Sequence, residues 1–505
     1  MSAAKPPLLT PGVVKGLAIG LTVLLMLALN VVPTANNDVW ILMKVGELIV
    51  DTGQIPQTLL FPFTTVRDNH FNAHEWLVSV VFHEFDRWGG LKSLMWIMGG
   101  FALLQLALCV RLARRQSGSL GVALLLASLA MICANYRFVM RPELFALLYL
   151  VGLLSVLDRY RGERRARTLF WTIPIAILWA NCHGSFLLGP AVAALFAAGE
   201  AWTGARTPAG LPSSRARAGV SAGAPYAIAA LAMTAACAVN PAGWQLLAFP
   251  FQLQQSDVVR ALIEEWTPTF SPLFVGQPEF KVFVVIGLAA LALVVRLRRR
   301  LSATDLLLFV FFGTLALERQ RHIVWFGFVA MTVCARLLGH ARVSPRGETR
   351  LQGACAGFAL AAFTACMVHG NVVGSHIYFA PSNNFSPPLV RELADPTVAG
   401  NVFNSYELGA ELIYRDWPRL KPSLDSRVDS YGGDYLLFSL RLLRDEKLLD
   451  LFLDANRVSY MLLLPRDLDA GVRAMPSIRA NWHIRWTDGD IFLLERNVPL
   501  PPAGN

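Results

Sequence analysis

A carboxylate that takes a proton from a hydroxyl and a group of guanidinium ions that hold a phosphate belong to one kind of chemistry. This chain carries candidates for both. Asp38, Lys44, His74, Glu75, Arg137, Arg141, Glu143, His183, Glu264, Glu265, Arg319, Arg321 and His322 all fall at the same ends of apolar segments or in the loops joining those ends. Ionisable groups at a membrane boundary are costly and persist where they pair or line a functional cavity. Arg offers bidentate phosphate contacts, and a carboxylate offers a general base. Each residue also has a structural reading. Asp38 suits the N-cap of the helix that follows it, the arginines suit interfacial anchors or partners of Glu143 and Glu318, and the histidines suit structural hydrogen bonds. His74-Glu75 and His83-Glu84 lack the HExxH spacing of a zinc site, because Trp76, Leu77 and Val78 follow Glu75. The outer loops hold no GxxxxGK[ST] phosphate loop and no GxSxG elbow, so a P-loop ATPase and a serine hydrolase have no support.

The elements that must position these residues are apolar helices. Of 505 residues, 54% are hydrophobic and only 16% charged, with mean hydropathy +0.46; such a composition excludes an ordinary soluble globule. Runs long enough to cross a bilayer centre on residues 14–33, 91–110, 119–136, 142–158, 168–182, 184–202, 220–239, 280–296, 303–317, 323–337 and 352–373. The predicted fold class is thus a polytopic α-helical membrane protein of about 11 spans, the first of them an uncleaved segment. In the first outer loop, residues 34–90, two amphipathic stretches (Asp38 to Val50 and Ala73 to Trp88) read as interfacial helices. The polar tail reads as a small mixed α/β domain with strands at Gly400 to Phe403 and Tyr460 to Leu464 and a helix from Tyr435 to Asn456. The expected domains are residues 1–374 and 375–505. All seven cysteines lie in apolar stretches without a CxxC pair, which supports neither a disulfide framework nor a thiolate metal site.

Charge orients this arrangement. One set of loops, with Lys5, Lys15, Arg111, Arg114, Arg115, Arg159 to Arg167, Arg206 to Arg217, Arg296 to Arg300 and Arg336 to Arg350, holds 21 basic residues against the five acids Asp158, Glu163, Glu200, Asp305 and Glu348, a net +16. The remainder, 24 basic and 30 acidic, is −6. By the positive-inside rule the first set is cytoplasmic, so the overall +10 reports orientation and not a nucleic-acid partner. Arg137, Arg141, Arg319 and Arg321 are exceptions on the outer side, where topology does not require them. They are the phosphate-binding candidates.

Several motifs resemble those of the GT-C superfamily of multi-spanning glycosyltransferases, in an uncharacterised bacterial branch: Asn37-Asp38-Val39-Trp40 through Gly46-Glu47, Thr52-Gly53-Gln54-Ile55-Pro56, Phe63-Thr64-Thr65, His74-Glu75-Trp76-Leu77, Arg141-Pro142-Glu143, Trp179 to Phe186, Arg319-Gln320-Arg321-His322, and in the tail Val402 to Gly409 and Asp425-Ser426-Arg427-Val428-Asp429. The resemblance implies transfer of a sugar from a polyprenyl-phosphate carrier to a lipid, glycan or protein acceptor at the outer face of a bacterial inner membrane. It implies Asp38 as general base with Glu75 as a second catalytic carboxylate, and inversion in a single displacement. Arg137, Arg141, Arg319 and Arg321, with His74, His183 and His322, would hold the donor phosphate. Glu407, Asp425, Arg427 and Asp429 are candidate acceptor contacts, although the Asp425 motif equally suits a structural salt bridge. The metal-dependent oligosaccharyltransferase branch has further acids in its second outer loop where this chain has Tyr136 to Arg141, so no essential metal and no other cofactor is expected; Glu264 and Glu265 are the carboxylates that argue the other way.

Other functional classes compete with this reading. A transporter or flippase of a lipid-linked or anionic substrate would show polar, broken helices at mid-membrane, where this chain is Leu, Ala, Val and Phe. A polysaccharide polymerase or ligase would show a long Arg-rich outer loop. A scaffold would leave the one-sided cluster of Arg, Asp and His without a role.

Overall fold

The computed structural model describes residues 9–31, 37–206, 212–255, 266–339, 343–373, 384–469 and 471–498. The longer helices before the tail are α1 (Pro11–Asn30), α2 (Asn37–Thr52), α3 (Trp76–Gly89), α4 (Leu91–Ser117), α5 (Leu120–Ala134), α6 (Glu143–Glu163), α7 (Thr172–Cys182), α8 (Leu188–Arg206), α9 (Pro212–Ala236), α10 (Pro278–Arg296), α11 (Ala303–Glu318), α12 (Ile323–Leu338) and α13 (Pro345–Val373). Among the described residues seven helical segments are long and apolar enough to cross a membrane: Pro11–Asn30, Leu91–Ser117, Leu120–Arg137, Arg215–Ala236, Pro278–Arg296, Gln320–Leu338 and Pro345–Val368. The chain is therefore a multi-pass membrane protein. The other four expected spans are also helices (α6, α7, α8 and α11) but fall short in length or hydropathy or carry too many charges; α7, with 11 residues, rises only about 16 Å.

The chain forms two compact units. One comprises Met1–Pro33, Leu94–Ala248 and Ile263–Ala380; the other comprises Thr34–Ser93, Phe249–Leu262 and Pro381–Asn505. This grouping puts the first outer loop with the tail, not with the spans.

In the helical unit the core gathers Trp179, Phe196, Tyr226, Phe312, Trp325 and Phe328, all fully buried. α8 and α9 approach backbone to backbone. A Cβ on Gly219 would lie 2.8 Å from the Ala201 carbonyl oxygen, and one on Gly223 2.6 Å from that of Ala197. Gly219-Val220-Ser221-Ala222-Gly223 is thus a small-residue helix seam, which gains close van der Waals packing where water cannot drive association. The five acids of the arginine-rich loops all have local partners at helix ends. Asp158 and Asp305 both pair with Arg336, the former at 3.1 Å; Glu200 pairs with Arg161 at 2.9 Å and Arg164 at 3.1 Å; Glu163 pairs with Arg159 at 3.0 Å. Glu348 accepts from the Ser119 hydroxyl at 2.6 Å and the Gly121 amide at 2.9 Å, at the start of α5.

The second unit is built on a five-stranded sheet, β1 (Gly400–Asn404), β2 (Leu420–Pro422), β3 (Val458–Leu463), β4 (Trp482–Thr487) and β5 (Phe492–Arg496), in the order β2-β1-β3-β5-β4. β1 is parallel to β2 and β3, and β5 is antiparallel to β3 and β4. Successive side chains leave opposite faces. Phe403, Met461, Leu463 and Leu494 join one core, and Val402, Tyr460, Leu462 and Leu493 the other. Both faces are covered, as the near-continuous apolar run of β3 requires. The two expected strands and the mixed α/β character are present. The expected helix from Tyr435 to Asn456 is two helices, Gly433–Leu442 and Glu446–Ala455, because Asp445 turns extended and caps the second by accepting from the Leu448 amide at 3.1 Å.

α2 and α3 also belong to this unit. α2 buries Val39 through Gly46 and Ile49, with Trp40 packed on Tyr414 (ring centroids 5.1 Å apart); its apolar surface is covered by protein neighbours. α3 keeps Phe85 and Trp88 exposed. A Cβ on Gly46 would stand 2.1 Å from the Ser79 carbonyl oxygen and 2.8 Å from the His83 Cβ, so only glycine permits this crossing. Gly46→Val should force the helices apart and destabilise the unit by about 3 kcal/mol, read as a lower Tm and faster proteolysis of the purified protein; wild-type stability would contradict this packing account.

Candidate functional site

Of the two expected catalytic carboxylates, Asp38 lies in the first turn of α2, inside the helix and not before it, where the N-terminal dipole favours an anion. Asp38 is half-buried. Glu75 stands at the N-cap position of α3 without a side-chain cap bond. Its carboxylate is 3.6 Å from His74 Nε2, while His74 Nδ1 sits 3.0 Å from the Asn72 carbonyl and the imidazole packs on Phe249. A carbonyl can only accept, so His74 donates its Nδ1 proton to Asn72.

The candidate phosphate-binding groups of the helical unit gather around Glu143. This carboxylate opens α6 almost fully buried and accepts from Arg137 Nε at 2.7 Å, with Arg137 7% exposed. His183 and Arg321 lie within its electrostatic reach, and Arg137 and Arg141 lie within that of Arg321. Arg321 thus shares its neighbourhood with Arg137, Arg141 and Glu143. They sit at the ends of α5 and α6 opposite to Arg114, Arg115, Arg159 and Arg161.

Local structure explains how they are held. The Tyr136 hydroxyl donates to the Gln320 carbonyl, tying the turn after α5 to the turn after α11. In that second turn Arg319 is extended and Arg319 Nη1 donates to the Trp266 carbonyl at 2.5 Å. The Gln320 amide donates to the Thr267 carbonyl at 3.3 Å, and the Arg321 guanidinium stacks 4.5 Å from the Trp266 ring centroid. Trp266 therefore fixes both arginines, one through its backbone and one through its indole. His322 Nδ1 is 3.1 Å from the Leu315 carbonyl. His183, buried at the end of α7, has Nδ1 2.7 Å from Ser185 Oγ and accepts from the Ser185 amide at 3.2 Å, which leaves the neutral ring's proton on Nε2. Trp179 Nε1 donates to the same Ser185 Oγ at 3.0 Å. The sequence reading did not single out Trp266, Ser185 or Tyr136; an aromatic residue just after Glu264-Glu265 was the available signal for the first.

In the tail, Asp425 is fully buried and Arg427 7% exposed. Asp425 accepts from Arg427 Nε at 2.9 Å and Nη2 at 2.7 Å, and from the Tyr431 hydroxyl at 2.8 Å. Burial and the Asp425 charge hold the Tyr431 phenol well above its ordinary range, so it stays a donor. Arg427 Nη2 also donates to the Leu59 carbonyl at 2.8 Å. This geometry is that of the structural salt bridge. Glu407 pairs with Arg466 at the surface. Asp429 falls in the short helix Val428–Tyr431, and its side chain, like Glu264 and Glu265, is outside the described residues. Among the described residues no three His, Cys, Asp or Glu side chains come together in a metal-binding group.

No family model matches the chain, and no curated protein matches it. Solved structures do. The Archaeoglobus fulgidus oligosaccharyltransferase tethered to an acceptor peptide containing the NVT sequon aligns with TM-score 0.58 at 11% identity over 95% of this chain and 74% of that one. The archaeal oligosaccharyltransferase AglB from the same organism, in complex with an inhibitory peptide and a dolichol-phosphate, aligns with TM-score 0.54 at 11% identity over 96% and 75%. The complex of the A. fulgidus enzyme with Zn and sulfate gives 0.55 at 13% identity over 96% and 74%. At this identity the likeness establishes the fold, which this chain shares over nearly its whole length with an oligosaccharyltransferase.

Proposed function

We propose that this protein is a GT-C membrane glycosyltransferase that moves a sugar from a polyprenyl-phosphate carrier to a lipid, glycan or protein acceptor on the outer face of a bacterial inner membrane. The observation that carries the reading is that Arg321 lies within electrostatic reach of Arg137, Arg141 and the buried Glu143. Guanidinium groups gathered at the span ends match a lipid-borne phosphate, which they can hold through paired hydrogen bonds. The fold shared with an oligosaccharyltransferase whose structures include a dolichol-phosphate complex supports the same donor class, and the peptide bound in another suits a protein among the acceptors.

In this mechanism Asp38 takes the proton from the acceptor hydroxyl as its oxygen bonds to the anomeric carbon and the bond from that carbon to the phosphate oxygen breaks. Polyprenyl phosphate departs with the electron pair and inversion follows. Arg137, Arg141, Arg319 and Arg321 stabilise the charge developing on the leaving phosphate, with His183, His322 and His74 as the further proposed phosphate contacts. Glu75 holds His74. Glu407 and Asp429 are the acceptor contacts; the buried Asp425 and Arg427 shape their surroundings. The outer loops and the 375–505 domain face the acceptor side.

Arg141→Ala tests the donor assignment. Loss of one charge-assisted phosphate contact should weaken binding of a labelled polyprenyl-phosphate sugar to the purified full-length protein about 10- to 100-fold; unchanged affinity would refute it.

A further inference from the structure

A second basic site lies at the other end of the helical unit and takes no part in the proposed transfer. A cavity of about 340 Å³ is walled by Arg111 and Arg115 of α4, by Ser155, Arg159 and Glu163 of α6, and by the 3-10 helix Ala166–Trp171, which supplies Arg167 and Trp171. The spacing builds it: Arg111 and Arg115 are four residues apart on one helix face, as are Ser155, Arg159 and Glu163. Four guanidinium groups meet one carboxylate, a net charge of +3. Glu163 is shared between Arg159 at 3.0 Å and Arg115 at 3.5 Å; among the described residues Arg111 and Arg167 form no ion pair. Like charges this close repel, and a bound anion relieves them.

We infer that this cavity binds the phosphate headgroup of an anionic phospholipid in the arginine-rich leaflet. Guanidinium forks match phosphate oxygens, and basic pockets between spans on the cytoplasmic side are the usual form of such sites. The volume is at the lower end of that of ligand pockets. The choice of a lipid over a soluble phosphate rests on Trp171, which lines the cavity 66% exposed, and Phe170 beside it, 74% exposed; aromatic rings left bare at a span end belong at a membrane interface. The site is independent of the donor site. Glu143 and Glu163 terminate the same 21-residue helix, about 30 Å apart.

The test uses full-length protein in nanodiscs of phosphatidylcholine with or without phosphatidylglycerol. Wild type should retain phosphatidylglycerol through detergent extraction, detected by native mass spectrometry, and unfold at higher temperature when it is present. The double variant Arg111→Gln/Arg167→Gln should retain about tenfold less, with its Tm in pure phosphatidylcholine unchanged; Arg298→Gln/Arg299→Gln, in another basic loop, should behave as wild type. If the first variant does not fold, Trp171→Ala is read in the same way. Equal retention by both double variants overturns the site. A Tm increase with millimolar inorganic phosphate equal to that with the lipid overturns the assignment to a lipid.

Discussion

Replacing Asp38 with Asn should slow sugar transfer by about 10²- to 10⁴-fold and leave donor affinity nearly unchanged. The loss is that of a general base from the transition state, whereas the arginines proposed to hold the donor phosphate keep their charges. Asn keeps the size of the side chain and suits the first turn of α2, so the helix survives. The measurement is single-turnover transfer from a labelled polyprenyl-phosphate sugar beside equilibrium binding of the same donor. A fall in turnover with binding retained assigns the base; undiminished transfer rejects it. Glu75→Gln run in parallel separates the two carboxylates, since Glu75 faces His74 and its neutralisation should cost far less.

The second large effect concerns stability. Asp425→Ala removes the acceptor of Arg427 Nε, Arg427 Nη2 and the Tyr431 hydroxyl at once, and it leaves a guanidinium 7% exposed without its counter-charge. Breaking such a pair from one side costs about 3–5 kcal/mol. The tail should therefore melt well below wild type by circular dichroism or by proteolysis kinetics. A variant of wild-type stability with a raised KM for acceptor would instead return Asp425 to the acceptor site.

Much of the architecture was legible because membrane helices have a strong compositional signature, and because α2, β1 and β3 follow simple periodicities. What was not legible depends on partners distant in sequence. α2 reads as an interfacial helix from its own residues alone; that its apolar face meets Tyr414 cannot be seen at positions 38–50. The β4–β5 hairpin escaped notice although Asp488-Gly489-Asp490 is a turn signal, with Asp488 accepting from the Asp490 and Ile491 amides and Gly489 at φ 94°. Topology sorts Arg137, Arg141, Glu143 and Arg321 to one membrane side. The arginines could be offered as partners of Glu143, but the sequence could not say that Arg137 is the one that pairs with it, stack Arg321 on Trp266, or distinguish the buried Asp425–Arg427 pair from a surface contact.

The bond from Arg427 to the Leu59 carbonyl spans 368 residues, and that between Asn384 and Asn37 spans 347. During synthesis at about 5–20 residues per second, the loop carrying Asp38 waits on the order of 20–70 s for the chain that completes its packing. Throughout that interval Trp40, buried against Tyr414 in the finished protein, has no tail to cover it. The nascent loop is therefore a natural client for chaperones at the membrane surface, and truncation before the tail removes far more than the tail.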